Sequence, residues 1–209
     1  MFPLDVAPGT SLETLLGEVV PALHARLVPP DAPLVPLAIA VRIEGRGDWN
    51  VSICGPTMTA APGAAVAAAA PPDLWLHATD RAVEVFLQDV TGPRRLLPTF
   101  APVGGVATMS DPRVLKRVAM ANGRVELAVV YGRERIALIV GAGSACRRAI
   151  EPVRPDVSIE TDIATFERVL RGELGPADAL VEGAVTVRGN RLLAMQLALA
   201  VAPFFPAKR

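Results

Sequence analysis

The sequence of 209 residues predicts an α+β fold made of two related halves. Two runs of alternating apolar residues, each turning back across a Gly-containing or charged tetrapeptide, predict β-hairpins. Apolar stripes at helical spacing, each behind a Ser, Thr or Asp able to cap, predict helices beside them. The third observation is internal similarity. The stretch PPDLWLHATDRAVEVFLQDVTGPRRLL from Pro72 lines up without a gap on PDVSIETDIATFERVLRGELGPADAL from Pro155. Pro72 and Asp73 answer Pro155 and Asp156, and Glu84 and Leu87 answer Glu167 and Leu170. Gly92, Pro93 and Leu97 answer Gly175, Pro176 and Leu180 at the same shift. Two such stretches imply one architecture written twice.

Each element follows from local chemistry. Thr10 or Ser11 can cap a first helix, Glu13 is placed to answer Thr10, and Leu12, Leu15, Leu16, Val19 and Leu23 form its stripe. The Pro-rich connector at 29–36 cannot be helical. Ile39, Val41 and Ile43 alternate with Ala40, Arg42 and Glu44, the turn GRGD follows, and Trp49, Val51 and Ile53 return as a hairpin with one wet face. The small-residue segment GPTMTAAPGAAVAAAAP, residues 55–71, fits a mobile loop and a short helical run equally. Leu74 and Leu76 then predict a strand, Thr79 or Asp80 a cap, and Val83, Phe86 and Leu87 the buried face of a helix that Gly92-Pro93 ends.

The second half repeats this plan. Asp111 and Pro112 read as N-cap and first residue of a helix through Val114, Leu115, Val118 and Ala119, closed by Gly123. Leu127–Tyr131 and Ile136–Val140 form a hairpin across GRER, and Val157 and Ile159 a strand. Asp162 caps a helix carrying Ile163, Phe166, Val169 and Leu170, which Gly175-Pro176 is expected to stop as Gly92-Pro93 stops its counterpart. A strand at Gly183–Val187, a turn at Arg188–Asn190 and the apolar helix RLLAMQLALAVAPFF complete the chain.

Composition narrows the function classes. Mean hydropathy is +0.39, yet no apolar run of about 18 residues could span a bilayer, so the apolar excess is buried or lines a cavity. The 21 basic and 21 acidic residues cancel without a basic block, which excludes a nucleic-acid footprint. The N-terminus lacks the pattern of a secretion signal, so a cytoplasmic location is expected. Cys54 and Cys146 are solitary and read as small buried hydrophobes, with pairing between the halves left open. His24 and His77 are not within ligand spacing of another His, Cys or carboxylate, so neither a metal site nor a triad can be argued, and no cofactor is expected. GRGD and GAGSA are loops, not phosphate cradles. Asp73 and Asp156 read as turn formers at the start of strands.

The run PDVSIETDIATFERVLRGELGPADALVEGAVTVRGNRLLAMQLALAV carries an ordered set of marks: Asp156 to Asp162, Phe166, Gly172, Gly183 to Val187, Gly189 and Asn190. By these, residues 123–205 resemble the sterol carrier protein type 2 family. The resemblance implies a mostly antiparallel five-stranded sheet covered on one side by helices, with a hydrophobic tunnel between them for a sterol, fatty acyl chain or other lipid. A fainter copy in the first half implies two fused copies forming a pseudo-dimer, divided as 1–109 and 110–209. Either GVATM at 105–109 parallels GAVTV at 183–187 and the helix at 112–121 is shared, or the first copy is degenerate and only covers the second.

The last helix is apolar nearly all round, so either a lipid or the other half of the chain must cover it. Geometry places Phe166, Leu170, Leu174, Leu180, Met195, Leu199 and Phe204 as candidate ligand-lining residues. Val83, Leu87 and Trp75 would line a second pocket in the first half. The reading that follows is non-enzymatic binding or transfer of a lipid or other apolar metabolite. Alternatives are an accessory module that escorts a lipid-tailed intermediate or partners an enzyme, and an enzyme for a small hydrophobic substrate. Transient membrane contact and oligomeric state are left open.

Overall fold

Alternation decides which side of each strand meets the helices. In β1 (Pro36–Ile43), Leu37, Ile39, Val41 and Ile43 face the same way as Trp49, Val51 and Ile53 of β2 (Gly47–Cys54), their direct antiparallel partners. The structure is a computed structural model describing residues 7, 9–63, 71–84, 111–143 and 154–202. The other strands are β3 (Thr57–Pro62), β4 (Leu74–Ala78), β5 (Gly123–Tyr131), β6 (Glu134–Ala142), β7 (Val157–Asp162) and β8 (Thr186–Gly189). All eight join one mixed sheet in the order β3-β2-β1-β4-β6-β5-β7-β8.

The sheet has a repeat of its own. β1 pairs antiparallel with β2 and parallel with β4, as β5 pairs antiparallel with β6 and parallel with β7. The two sets are joined by antiparallel pairing of β4 with β6 and point the same way across the sheet. Moving three strands along carries β3, β2, β1, β4 and β6 onto β4, β6, β5, β7 and β8. The expected α+β fold is present, but its sheet has eight strands. A five-stranded set is reached only by borrowing, β6 completing the first half and β4 the second.

Helices pack on the apolar side. A first helix runs as α1 (Leu12–Thr14), a π-turn at Leu15–Val19, and α2 (Val20–Leu27). Ser11, rather than Thr10, caps it, accepting the Thr14 N–H at 3.1 Å. His24 is buried in α2 and its Nε2 donates to the Gly55 carbonyl at 3.0 Å. Residues 80–84 are helical, with Thr79 accepting the Ala82 N–H. Asp111 caps α3 (Pro112–Met120), accepting from Arg113, and Pro112 sits where a missing N–H costs nothing. Asp162 caps α4 (Ile163–Leu170), accepting from Thr165. The pair Thr79–Ala82 thus recurs as Asp162–Thr165 at the shift that aligns the two stretches.

α3 lies over the junction of the halves, its Leu115, Val118 and Ala119 packing with Ile39, Val51, Leu74 and Ala142. The last helix, α6 (Arg191–Val201), is capped by Asn190 and packs Leu193, Ala194 and Leu197 on Val125, Val157 and Ile159.

Several expectations change. Thr57–Pro62 is strand, not loop or helix, because β2 offers an open ladder to a segment with no strong preference of its own. α4 ends at Gly172, whose φ of +67° a β-carbon would strain, and Gly175-Pro176 instead opens α5 (Pro176–Val181). The strand expected at Gly183–Val187 is Thr186–Gly189. Ala121 ends α3, and Gly123 begins β5. Trp75 alternates with Leu74 and Leu76, so it lies on the opposite side of the sheet from Val83, packed with Ala40 and Ile139, and cannot share a pocket with it. Phe86, Leu87, Gly92-Pro93, Leu97, the stretch 105–109, Cys146, Phe204 and Phe205 lie outside the described residues. Cys54 is a free thiol at the end of β2.

The aligned Pro-Asp pairs occupy one geometry. The Asp73 N–H donates to the Ala38 carbonyl at 2.8 Å, and its Oδ2 accepts the Ala38 N–H at 3.0 Å. The Asp156 N–H donates to the Arg124 carbonyl at 2.8 Å, and its Oδ2 accepts the Arg124 N–H at 2.8 Å. The Asp156 carbonyl also accepts the Asn190 N–H at 2.8 Å, which draws in the start of α6. That approach requires Gly189, since a β-carbon there would stand 2.5 Å from the Asp156 carbonyl oxygen and its φ is +91°. Gly189→Ala is therefore expected to destabilise by at least about 2 kcal/mol, and Asp156→Ala by about 1–2 kcal/mol, as read from urea midpoints at unchanged slope.

Acid should loosen the Asp73 clamp and the Asp111 and Asp162 helix caps. Burial opposes ionisation of Asp73, but hydrogen bonds from Lys116, at 2.5 Å, and from the Ala38 N–H outweigh it and hold the carboxyl below its ordinary 3.8. The side-chain hydrogen bond of Arg113 lowers Asp111, and the Thr165 N–H lowers Asp162. The unfolded chain takes up these protons first as pH falls, so the stabilisation is whole above the ordinary carboxyl range and is lost as pH drops through and below 3.8. Urea midpoints should hold steady down to roughly pH 5 and decline below roughly pH 4.

Candidate functional site

Comparing the two halves position by position locates an open apolar surface. The clamps align Ala38 with Arg124, so Val41 and Ile43 of β1 correspond to Leu127 and Val129 of β5, and Trp49 of β2 to Leu138 of β6. In the first half this surface is filled. Trp49 is only 3% exposed and packs with Leu12, Ile43 and Val83, with Leu16 and Val41 against them. In the second half Leu127 is 40% exposed, on the side that carries the helices. Its cross-strand partners Leu138 and Ile159, and Val129 and Ile136 one pair further along, are half-buried. α3 packs on β6, α4 on β5 and β7, and α6 on β7 and β8, around this strip.

The strip's cross-strand pairs are apolar on both sides, whereas the reverse face of the same strands is charged. There Arg135 donates to Glu126 at 2.7 Å and to Glu160 at 2.9 Å, and Ser158 donates to Glu126 at 2.6 Å. The hydrogen bond from Arg135 holds the Glu126 carboxyl below its ordinary value, against the effect of burial. The side carrying Leu127 can thus hold an apolar group by contact alone, while the opposite side is satisfied by its own ion pairs.

Of the residues expected to line a pocket, Phe166 stands at the position matching Val83 and is half-buried, as is Met195. Leu180 packs with Val157, Leu193 and Ala194, and Leu174 is buried, so both belong to the packed layer. Leu199 points outward, 58% exposed. The Leu170 side chain and Phe204 lie outside the described residues. The structure therefore brings none of α6's outer leucines to the strip. It adds Leu127, Leu138 and Ile159, which the strand alternation carried but which only a comparison of covering in the two halves sets apart. Among the described residues no group of His, Cys, Asp and Glu is arranged to hold a metal ion. No described helix is long and apolar enough to cross a membrane.

No family model matches the chain, and no curated protein matches it. A little under half of the chain is similar to solved sterol carrier protein structures. The crystal structure of sterol carrier protein 2 like 2 from Aedes aegypti is 19% identical over 46% of this chain and 94% of its own, with a TM-score of 0.32. The apo form of sterol carrier protein 2 from Yarrowia lipolytica is 14% identical over 47% of this chain and 80% of its own, also at 0.32. The sterol carrier protein domain 2 of Helicoverpa armigera is 18% identical over 46% of this chain and 76% of its own, at 0.34.

Packing separates the two kinds of α6 leucine. Leu193→Ala is expected to cost about 2–5 kcal/mol because it leaves a hole against Val157 and Val125. Leu199→Ala should stay within about 0.5 kcal/mol, and chemical denaturation of the two variants measures the difference.

Proposed function

We propose that the protein binds an apolar, tail-like ligand of the lipid class over Leu127, Leu138 and Ile159, and carries it without chemical conversion. The observation that carries this reading is the exposure of Leu127 in the midst of an apolar sheet side, at a place the first half fills with Trp49 and Leu12. Water on such a surface is costly, and a lipid tail would remove roughly 25 cal/mol of that cost for each Å² it covers. The resemblance of residues 123–205 to the sterol carrier protein type 2 family supports the same ligand class. Absence of turnover fits the placement of the titratable groups: His24 is engaged with the Gly55 carbonyl, and His77 lies on the other side of the sheet, 3.1 Å from Glu44.

The matched clamps and matched caps support an origin by internal duplication, with halves near 1–109 and 110–209. A cytoplasmic carrier moving ligand between membranes is the setting this reading suggests. A docking module for another protein is the second reading, favoured by the outward Leu192 and Leu199 of α6, 67% and 58% exposed.

Native mass spectrometry and displacement of a pyrene-labelled fatty acid test the proposal. Leu127→Trp should lower probe affinity at least about tenfold, roughly 1.4 kcal/mol, by filling the strip while leaving the fold intact. Affinity for unlabelled fatty acids should rise by up to about 0.8 kcal/mol per methylene until the surface is full. Binding that ignores both chain length and Leu127→Trp would sink this reading.

A further inference from the structure

Helix α6 is apolar on two opposite sides, and its own protein covers one of them. Leu193, Ala194 and Leu197 pack on Val125 and Val157, and Ala198 is buried as well. The helical repeat brings Leu192, Met195, Gln196 and Leu199 to the other side, where both leucines are exposed and Met195 is half-buried. We infer that this outer stripe docks on a negatively charged lipid membrane, with α6 lying flat in the headgroup layer. The inference goes beyond the ligand reading above and does not depend on it.

Charge selects this occupant. The whole chain balances 21 basic against 21 acidic residues, yet no acidic residue follows Glu182. From Gly183 to Arg209 the charged residues are Arg188, Arg191, Lys208 and Arg209. Arg188 stands opposite Ser158 on the reverse side of the sheet, where its charge helps to lower Glu126. Arg191 adjoins Leu192 at the start of α6, and no described residue forms an ion pair with it. Between Arg191 and Lys208 the sequence holds no ionisable side chain and includes Phe204 and Phe205. An apolar stripe bounded by basic residues, with no acidic ones, suits the boundary between anionic headgroups and acyl chains. A second copy would set the stripe against itself, and the stripe has no acidic group to answer its own Arg191. The cluster beneath α6 extends to Ile159, at the edge of the strip around Leu127, so docking through α6 would bring that strip beside the bilayer.

Flotation of the full chain with lipid vesicles tests the inference. The wild type should bind vesicles of equimolar phosphatidylcholine and phosphatidylserine, and partition at least about tenfold less onto phosphatidylcholine alone or in high salt. On the mixed vesicles Leu192→Gln/Leu199→Gln should lower partitioning at least about tenfold, and Arg191→Gln about fivefold. Leu34→Gln removes a leucine that is still more exposed but lies elsewhere, and should leave partitioning unchanged. Leu127→Trp should also leave vesicle binding unchanged while blocking the fatty-acid probe, so the docking face and the strip can fail separately. A wild type that ignores vesicles overturns the inference and points to a protein as the occupant. Equal losses in Leu34→Gln and the α6 double variant overturn it too, as does binding indifferent to phosphatidylserine. A dimer in sedimentation that the double variant turns into monomer assigns the stripe to a second copy instead. Should the double variant unfold, Leu192→Gln and Leu199→Gln are measured singly. Each is expected to lose about threefold, and undiminished binding in both would overturn the docking.

Discussion

Two parallel strand pairs that are not joined by a tight turn need something other than a hairpin to set their register, and here a single aspartate does it twice. Asp73 and Asp156 each use one N–H and one carboxylate oxygen to grip both backbone groups of the residue that precedes the paired stretch of β1 or β5. A slip of one residue would turn Leu74 and Leu76, or Val157 and Ile159, to the wrong side of the sheet. The grip also reaches beyond the sheet. Lys116 of α3 bonds Asp73, and the Asp156 carbonyl receives the first amide of the turn that launches α6. The two helices that cover the sheet at its junction and at its far end are thus placed relative to the same pair of residues. The preceding proline suits this position, because it disfavours helix in the residue before it and brings the chain to the strand already extended.

With the strands fixed, the character of each half depends on what lands on its apolar side. Trp49 and Leu138 are equivalent in the sheet, yet one is nearly inaccessible and the other half-buried. Closing the second strip as the first is closed would remove a further large side chain's worth of apolar area from water, about 1.5–3 kcal/mol per residue buried. The chain forgoes that stabilisation at Leu127. On the reading proposed above, a bound ligand would recover that stabilisation by covering Leu127.

Much of this was legible in the sequence wherever a local rule acts alone. Asp111 with Pro112, Asp162, and Thr79 announce helix starts because a short polar side chain can satisfy an amide at no tertiary cost. Ile39, Val41 and Ile43 announce a strand because the period of two is a property of the backbone. The sequence was silent where a partner decides. Thr57–Pro62 becomes β3 only because β2 presents free ladder groups, and Gly175-Pro176 can either stop a helix or start one, with Gly172 having already ended α4. Trp75 is expected in a pocket from its place on the strand beside the helix of Val83, but its parity in β4 sends it to the other side. The open strip was hardest of all. Leu127 looks like any strand leucine, and only its 40% exposure beside more deeply buried neighbours sets it apart.

The arrangement of the two matched strand sets in the sheet accounts for one strip being filled and the other open among the described residues. Two units related by a twofold axis would have the same surroundings, so a surface open in one would be open in both. Units that follow one another in the same direction cannot have the same surroundings, because each end of the row meets something different. At the leading end the first helix closes over Val41 and Trp49, and at the trailing end α6 closes over Val157 of β7 and Val187 of β8. In between, β4 and β6 serve both units at once and α3 covers their junction. The strip around Leu127 falls between α3 and the trailing cover, whose packed cluster reaches its edge at Ile159 but does not include Leu127 or Leu138. Repetition by translation therefore yields one filled surface and one open surface from a single structural plan, and the difference between them follows from the ends of the row.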